Sequence, residues 1–191
     1  KYQLHQMDLH RFMGGLTKAT FHIGQHRDIV PTLFRAYDIA TGGEPGPVFI
    51  ELPVNLQIFP GDIDELPLYR RPAAAEPGQH SEIERAAALL VNAARPGLFV
   101  GWGARDAVAE VMEIAELLEA PVATTLQGLS AFPANHPLHA GFGFGQAAVP
   151  AARNAFSGTD ALLAVGTRFA EIATGSYGIT VPDNLVHVDI N

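Results

Sequence analysis

From residue 81 onward, short apolar runs alternate with stretches of helical periodicity, and this alternation is the strongest constraint on the fold. The segment SEIERAAALLVNAARPG opens with Ser81 and Glu84 spaced as the N-cap and N3 of a capping box. Ile83, Ala86, Ala87, Leu90, Val91 and Ala94 then recur at helical spacing until Pro96-Gly97. Residues 98–101 (LFVG) follow as a run of the kind found in strands buried on both faces. Asp106 is placed to cap a second helix with Val108, Val111, Met112, Ala115 and Leu118 on one stripe. Glu110, Glu113 and Glu119 fall off that stripe, as a solvated face would have them. Residues 121–125 (PVATT) read as the next strand and HAGFGFG as a glycine-rich loop. A helix over 147–156 tolerates Pro150 only in its first turn. Residues 161–166 (ALLAVG) and 185–190 (LVHVDI) complete the set. Buried strands joined through helices predict a doubly wound, Rossmann-like parallel α/β sheet with right-handed crossovers.

Residues 1–57 differ. A polar, histidine-containing start leads to a helix from about residue 28 to 41 and a strand, PVFIEL, ending at Pro53. Fifty-seven residues with one clear helix and two strands bury little surface for a domain, so they read as the tail of one, a partial α/β segment. Between 53 and 80 stand five of the 14 prolines with no helical period, which marks 58–80 as a linker and 81–191 as the second domain. The abrupt opening KYQLHQMD and the stop on VHVDIN suggest a piece of something longer.

Several functions are excluded on composition. A net charge of −8, without any Lys/Arg cluster, argues against a nucleic-acid partner. No apolar run approaches the roughly 20 residues that span a bilayer. The absence of cysteine removes disulfides, thiolate zinc sites and a cysteine nucleophile, and suits a cytoplasmic protein. It also excludes a deacylase of the related NAD-binding fold that needs a four-cysteine zinc module. His22-x-x-x-His26 has metal-like spacing, but no motif supplies further ligands, so no metal residue is assigned.

Ligands of open parallel sheets bind beyond the carboxyl ends of the strands. The candidates are therefore Gly101-Trp102-Gly103, Thr124-Thr125-Leu126, the loop around Gly141, Gly166-Thr167-Arg168 and Asp189-Ile190-Asn191. They offer backbone N–H groups, hydroxyls, a guanidinium and a carboxylate, which suit a nucleotide, and no acid/base couple. The same small residues also suit tight turns at strand ends. Gly101 and Gly103 begin a G-x-G-x-x-G pattern whose third glycine is replaced by Asp106. NAD would ask for an acidic residue after the second strand, which instead ends Thr124-Thr125. Trp102 is expected to cover the sheet end.

The stretch from ARPGLFVGWGARDA to HAGFGFG, with DALLAVGTRF and HVDIN, resembles the central domain of thiamine-diphosphate-dependent enzymes of the acetolactate synthase group. HQMDLHRFMGGLTKATFHI and RAYDIATGGEPGPVFIELPVNLQ are similar to the end of the preceding pyrimidine-binding domain. The resemblance implies a transferase that decarboxylates pyruvate or a related 2-oxo acid and passes on the two-carbon unit, with the cofactor as electron sink. It places the cofactor-activating glutamate in an earlier domain and the G-D-G motif for magnesium and diphosphate in a later one. Thiamine diphosphate and Mg2+ would then be held by the remaining domains of the same polypeptide, in a homo-oligomer, with this chain inactive alone. The family's central domain also continues for one more strand.

Some family members bind FAD at the central domain, some ADP and some nothing. Carried over by motif, Gly101, Trp102 and Gly103 stand at the family's G-G-G, Thr125 and Leu126 at its T-L, and Gly141 in its H-P-L-x-x-G. Gly166 and Arg168 match its G-x-R-F, and Asp189-Ile190 its D-I. Two departures count against FAD: Trp102 replaces the middle glycine, and Ala170-Glu171-Ile172 stands where FAD-binding members read D-D-R. Losing that arginine removes a charge-assisted hydrogen bond worth roughly 1.5–3 kcal/mol. Lys18, in the family's T-K pair, and Gln6 are placed near the active site of the intact enzyme. The competing reading is a free-standing FAD, ADP or coenzyme A sensor without catalysis.

Overall fold

The computed structural model describes residues 7–72 and 80–190, which fall into two compact units. In the first, α1 (Leu9–Met13) precedes β1 (Thr20–His22), α2 (Ile29–Thr41), β2 (Phe49–Glu51) and α3 (Val54–Ile58). β1 and β2 pair in parallel, with His22 opposite Glu51. Of this unit's described residues only Ile23 and Ala36 are buried hydrophobics, as expected of so short a segment. The proline-rich stretch after α3 is tied back to α2 through Tyr69. Its ring lies against Phe34 and Tyr37, and its hydroxyl donates to Asp38 at 2.7 Å. That bond to a carboxylate favours the neutral phenol and pushes its pKa up to about 12.

The second unit runs α4 (His80–Val91), β3 (Pro96–Val100), α5 (Val108–Leu117), β4 (Val122–Thr124), β5 (His139–Phe142), α6 (Pro150–Ala155), β6 (Ala161–Val165) and β7 (Asn184–Val188). All five strands are parallel, in the order β5-β4-β3-β6-β7. The chain starts at the centre and winds outward both ways, the doubly wound arrangement that the alternation predicts. Strand parity divides the core. Leu98, Val100, Val122 and Leu163 face Leu90 of α4 and Val111 and Ala115 of α5. Phe99, Ala123 and Leu162 face Ala152 of α6 on the opposite side. Central strands covered on both faces have no room for polar residues, which is why LFV reads as a continuous apolar run.

Local details depart from expectation. α4 begins at His80, so Ser81 lies in the first turn, and Glu84 meets His80 at 3.3 Å instead of closing a capping box. Asp106 does not cap α5: the N-cap is Ala107, and the Asp106 carboxylate pairs with Arg105 at 3.3 Å. HAGFGFG is not all loop, because its first four residues form edge strand β5, whose bulged pairing with β4 lets glycine fit. Pro150 sits in the first turn of α6, the position where its missing N–H costs nothing.

Asp160 fastens the start of β6 to the turn before β3. Its carboxylate accepts the N–H groups of Ala94 at 2.9 Å and Arg95 at 2.8 Å. The Arg95 bond, then the Ala94 bond, hold its pKa below the ordinary value near 3.8. A depressed carboxylate pKa gives stability that is present above the unfolded value and is lost as pH falls towards the folded one. Asp160→Asn should therefore unfold more readily than the parent at neutral pH. The gap in urea midpoint should narrow as the pH falls below about 3.8 and close only below the lower folded value; a gap unchanged in acid would contradict the assignment.

Candidate functional site

Because every strand of the second unit points the same way, the carboxyl ends gather on one rim. The turns after β3, β4, β6 and β7 bring there Gly101, Trp102, Gly103, Thr125, Leu126, Gly166, Arg168, Asp189 and Ile190. Gly141 is different: it lies inside β5, paired with Ala123, and its Cα faces Val149. Asn191 and Gln6 lie outside the described residues.

The middle of the rim is a meeting of backbones. A Cβ on Gly101 would overlap the carbonyl oxygen of Gly166, and one on Gly103 would lie 2.7 Å from the Gly166 Cα. Gly166 itself has a φ of +61°, a left-handed conformation that suits glycine. From the other side Gly128, which the sequence reading passed over, would place a Cβ 2.7 Å from the Val100 carbonyl. Thr125 fixes this third loop by accepting the Gly128 N–H on its Oγ1 at 2.9 Å. The signal for Gly128 was present as T-L-Q-G, a threonine spaced to close a turn on a glycine.

Four N–H donors in and just after the glycine turn are engaged within the protein. Gly101 donates to Val165 O at 2.8 Å, Gly103 to Gly166 O at 3.0 Å, Ala104 to Gly101 O and Arg105 to Trp102 O. A short 3-10 turn, Trp102–Ala104, and three further residues separate Gly101 from the first helical residue of α5. A diphosphate cradle presents free N–H groups directly at a helix N-terminus. This turn does not have that form.

Side chains make up the remainder of the rim. Trp102 does not cover the sheet end: it is 51% exposed, with the Arg105 guanidinium 4.8 Å from its ring centroid. Leu126 and Ile190 are also exposed, and Arg168 and Asp189 stand at the turns after β6 and β7. Thr167 is buried, and its carbonyl bonds His187 Nε2 at 2.7 Å. Glu171 and Ile172 are exposed. Only Arg168 and Asp189 among the assigned residues are ionisable, so the assigned residues can hold and shape but supply no proton-transfer couple. A shallow cleft is lined by Phe144, Phe156, Thr159, Thr180 and Val181. In the first unit Lys18 is engaged through Nζ with the carbonyls of Gly42 at 2.6 Å and Glu44 at 2.8 Å.

Residues 83–191 match the family model described as thiamine pyrophosphate enzyme, central domain. The acetolactate synthase large subunit of Corynebacterium glutamicum is 36% identical over 185 residues, covering 92% of this chain and 29% of its own length. The glyoxylate carboligase of Escherichia coli O157:H7 is also 36% identical, over 171 residues, covering 85% of this chain and 28% of its own. The chain spans about a third of the length of such relatives. The structure of benzoylformate decarboxylase from Polynucleobacter necessarius superposes with a TM-score of 0.77 at 22% identity, over 99% of this chain and 36% of that one, a likeness of fold.

Proposed function

The chain belongs to the thiamine pyrophosphate enzymes, whose central domain it carries, and from that premise we propose that it is the structural middle of a larger 2-oxo acid carboligase. The observation that carries this reading is the collinear match: one relative follows 92% of the chain, through both units, in a single order. The reaction class is set at decarboxylation of pyruvate or a related 2-oxo acid with transfer of the remaining fragment to an acceptor carbonyl. It is set no finer because two relatives of equal identity bear the names of different activities. The free-standing sensor has no support among the relatives.

Thiamine diphosphate supplies such reactions with an electron sink. The chain contains no G-D-G sequence, so its residues do not fit the diphosphate and magnesium, and we assign these to further domains of the same polypeptide. A homo-oligomer is proposed for the intact enzyme. No described helix is long and apolar enough to cross a membrane, and the lack of cysteine suits the cytoplasmic location we assign.

In this reading the central unit positions its neighbours. Its rim glycines lock three turns together, and Trp102, Leu126, Arg168, Asp189 and Ile190 form a face for neighbouring chain. We do not assign that face to FAD or ADP, because the N–H groups of Gly101 and Gly103 are already paired and the family's second arginine is replaced. The test is turnover. The purified chain with thiamine diphosphate, Mg2+ and pyruvate should release no carbon dioxide above the protein-free rate. Sustained release abolished by removing the cofactor would overturn the proposal.

A further inference from the structure

We propose that His10, His22 and Glu51 form a binding site for one divalent transition-metal ion, with Zn2+ as the representative. The parallel pairing of β1 with β2 sets His22 directly opposite Glu51, so both side chains leave the same face of the sheet. α1 brings the third group. The His10 ring stands edge-on against Phe49, two residues before Glu51 and therefore on that same face.

Both histidines approach one carboxylate oxygen. His10 Nε2 lies 3.2 Å and His22 Nδ1 3.5 Å from the same oxygen, Glu51 Oε2. The three candidate donor atoms lie within 4.8 Å of one another. A tetrahedral ion with ligand bonds of about 2.0–2.2 Å separates its donors by about 3.3–3.6 Å. The 3.5 Å distance falls within that spacing and the 3.2 Å distance lies just short of it. Two imidazoles and one carboxylate are a known donor set for zinc and for other first-row divalent ions, and leave a coordination position open.

A second observation concerns His10. Its Nε2 is enclosed yet makes no hydrogen bond, since its approach to Glu51 lacks hydrogen-bond geometry. An enclosed ring nitrogen without a donor or acceptor requires explanation, and a lone pair directed at a shared cation supplies one. The ion would also give α1 an anchor: none of its five residues is buried. The pair that sequence spacing draws attention to, His22 and His26, is not the one assembled. His26 Nε2 is instead 2.9 Å from the Phe59 carbonyl oxygen.

The site lies within the first unit and owes nothing to the proposed carboligase reading. The test is calorimetric titration of the chelator-treated full chain with Zn2+, beside His22→Ala, His10→Ala and the control His80→Ala. One ion should bind the parent, with affinity falling at least about tenfold in each ligand variant and unchanged in His80→Ala. Cobalt substitution should give the intense visible bands of a low-coordinate site in the parent and lose them in His22→Ala. His22 is half exposed, so its truncation should leave the circular dichroism intact and decide the matter even if His10→Ala misfolds. Equal zinc affinity in the parent and a folded His22→Ala, or no binding by the parent, would overturn the proposal.

Discussion

Gly101→Ala should destabilise the second unit by about 3 kcal/mol or more, the upper end of the cost of overpacking. The added methyl would overlap the Gly166 carbonyl oxygen and come within 2.8 Å of the Thr167 Cα. These obstacles are backbone atoms of the turn after β6, and no rotamer change can move them aside. Gly101 also donates to Val165 at 2.8 Å, so displacing it pulls on the ladder between the two central strands. Gly166→Ala should be comparably damaging: it adds a left-handed backbone, costing roughly 1–2 kcal/mol, to a 2.6 Å approach to the Gly103 Cα. The comparison is Gly15→Ala, where nothing lies within 4 Å and a change of less than about 0.5 kcal/mol is expected. Urea unfolding followed by circular dichroism distinguishes them. A Gly101→Ala midpoint equal to that of Gly15→Ala would show that the turns part without cost.

Phe99→Ala should cost about 3–5 kcal/mol, through lost burial together with the cavity left behind. Phe99 lies on the central strand β3 and is fully buried. Its ring packs against Phe144 at 5.3 Å and Phe169 at 5.8 Å between centroids. Phe169 holds a φ of +50°, unusual for a bulky residue, so removal of its neighbour should also loosen the turn that carries Arg168. Loss of less than about 1 kcal/mol in the same urea experiment would mean that the layer on the α6 side collapses to fill the gap.

The fold was legible because a parallel sheet covered on both faces leaves a distinctive record. LFV, PVAT and ALLAV are apolar without alternation, and each is separated from the next by a helix or a long crossover. Only one period could satisfy such runs. Helix starts were less legible, since a cap depends on the backbone angle of a single residue. Ser81 and Asp106 have suitable chemistry but stand one position away from where their helices begin or are capped. β5 was hidden because HAGF consists of residues that loops also favour, and only pairing with β4 makes it a strand.

For the candidate site, sequence pointed to the turns at the carboxyl ends of the strands but could not show what the glycines meet. G-x-G after a strand is compatible with a ligand's phosphates or with another loop's backbone, and here Gly166 fills that space. Gly128 escaped notice because its partner, Val100, is 28 positions away in the chain. The cluster of His10, His22 and Glu51 was beyond reach for a similar reason, since strand register alone makes His22 and Glu51 neighbours.

The central claim is that this rim joins turns and does not cradle a nucleotide. Trp102, the sole tryptophan, stands half exposed on it and reports directly on any planar ligand. Titrating the chain separately with FAD and with ADP, by calorimetry and by Trp102 fluorescence, should give no saturable heat and no quenching beyond the optical absorption of the ligand. Saturable heat at one ligand per chain, with quenching relieved when Arg168 is replaced by alanine, would contradict the account.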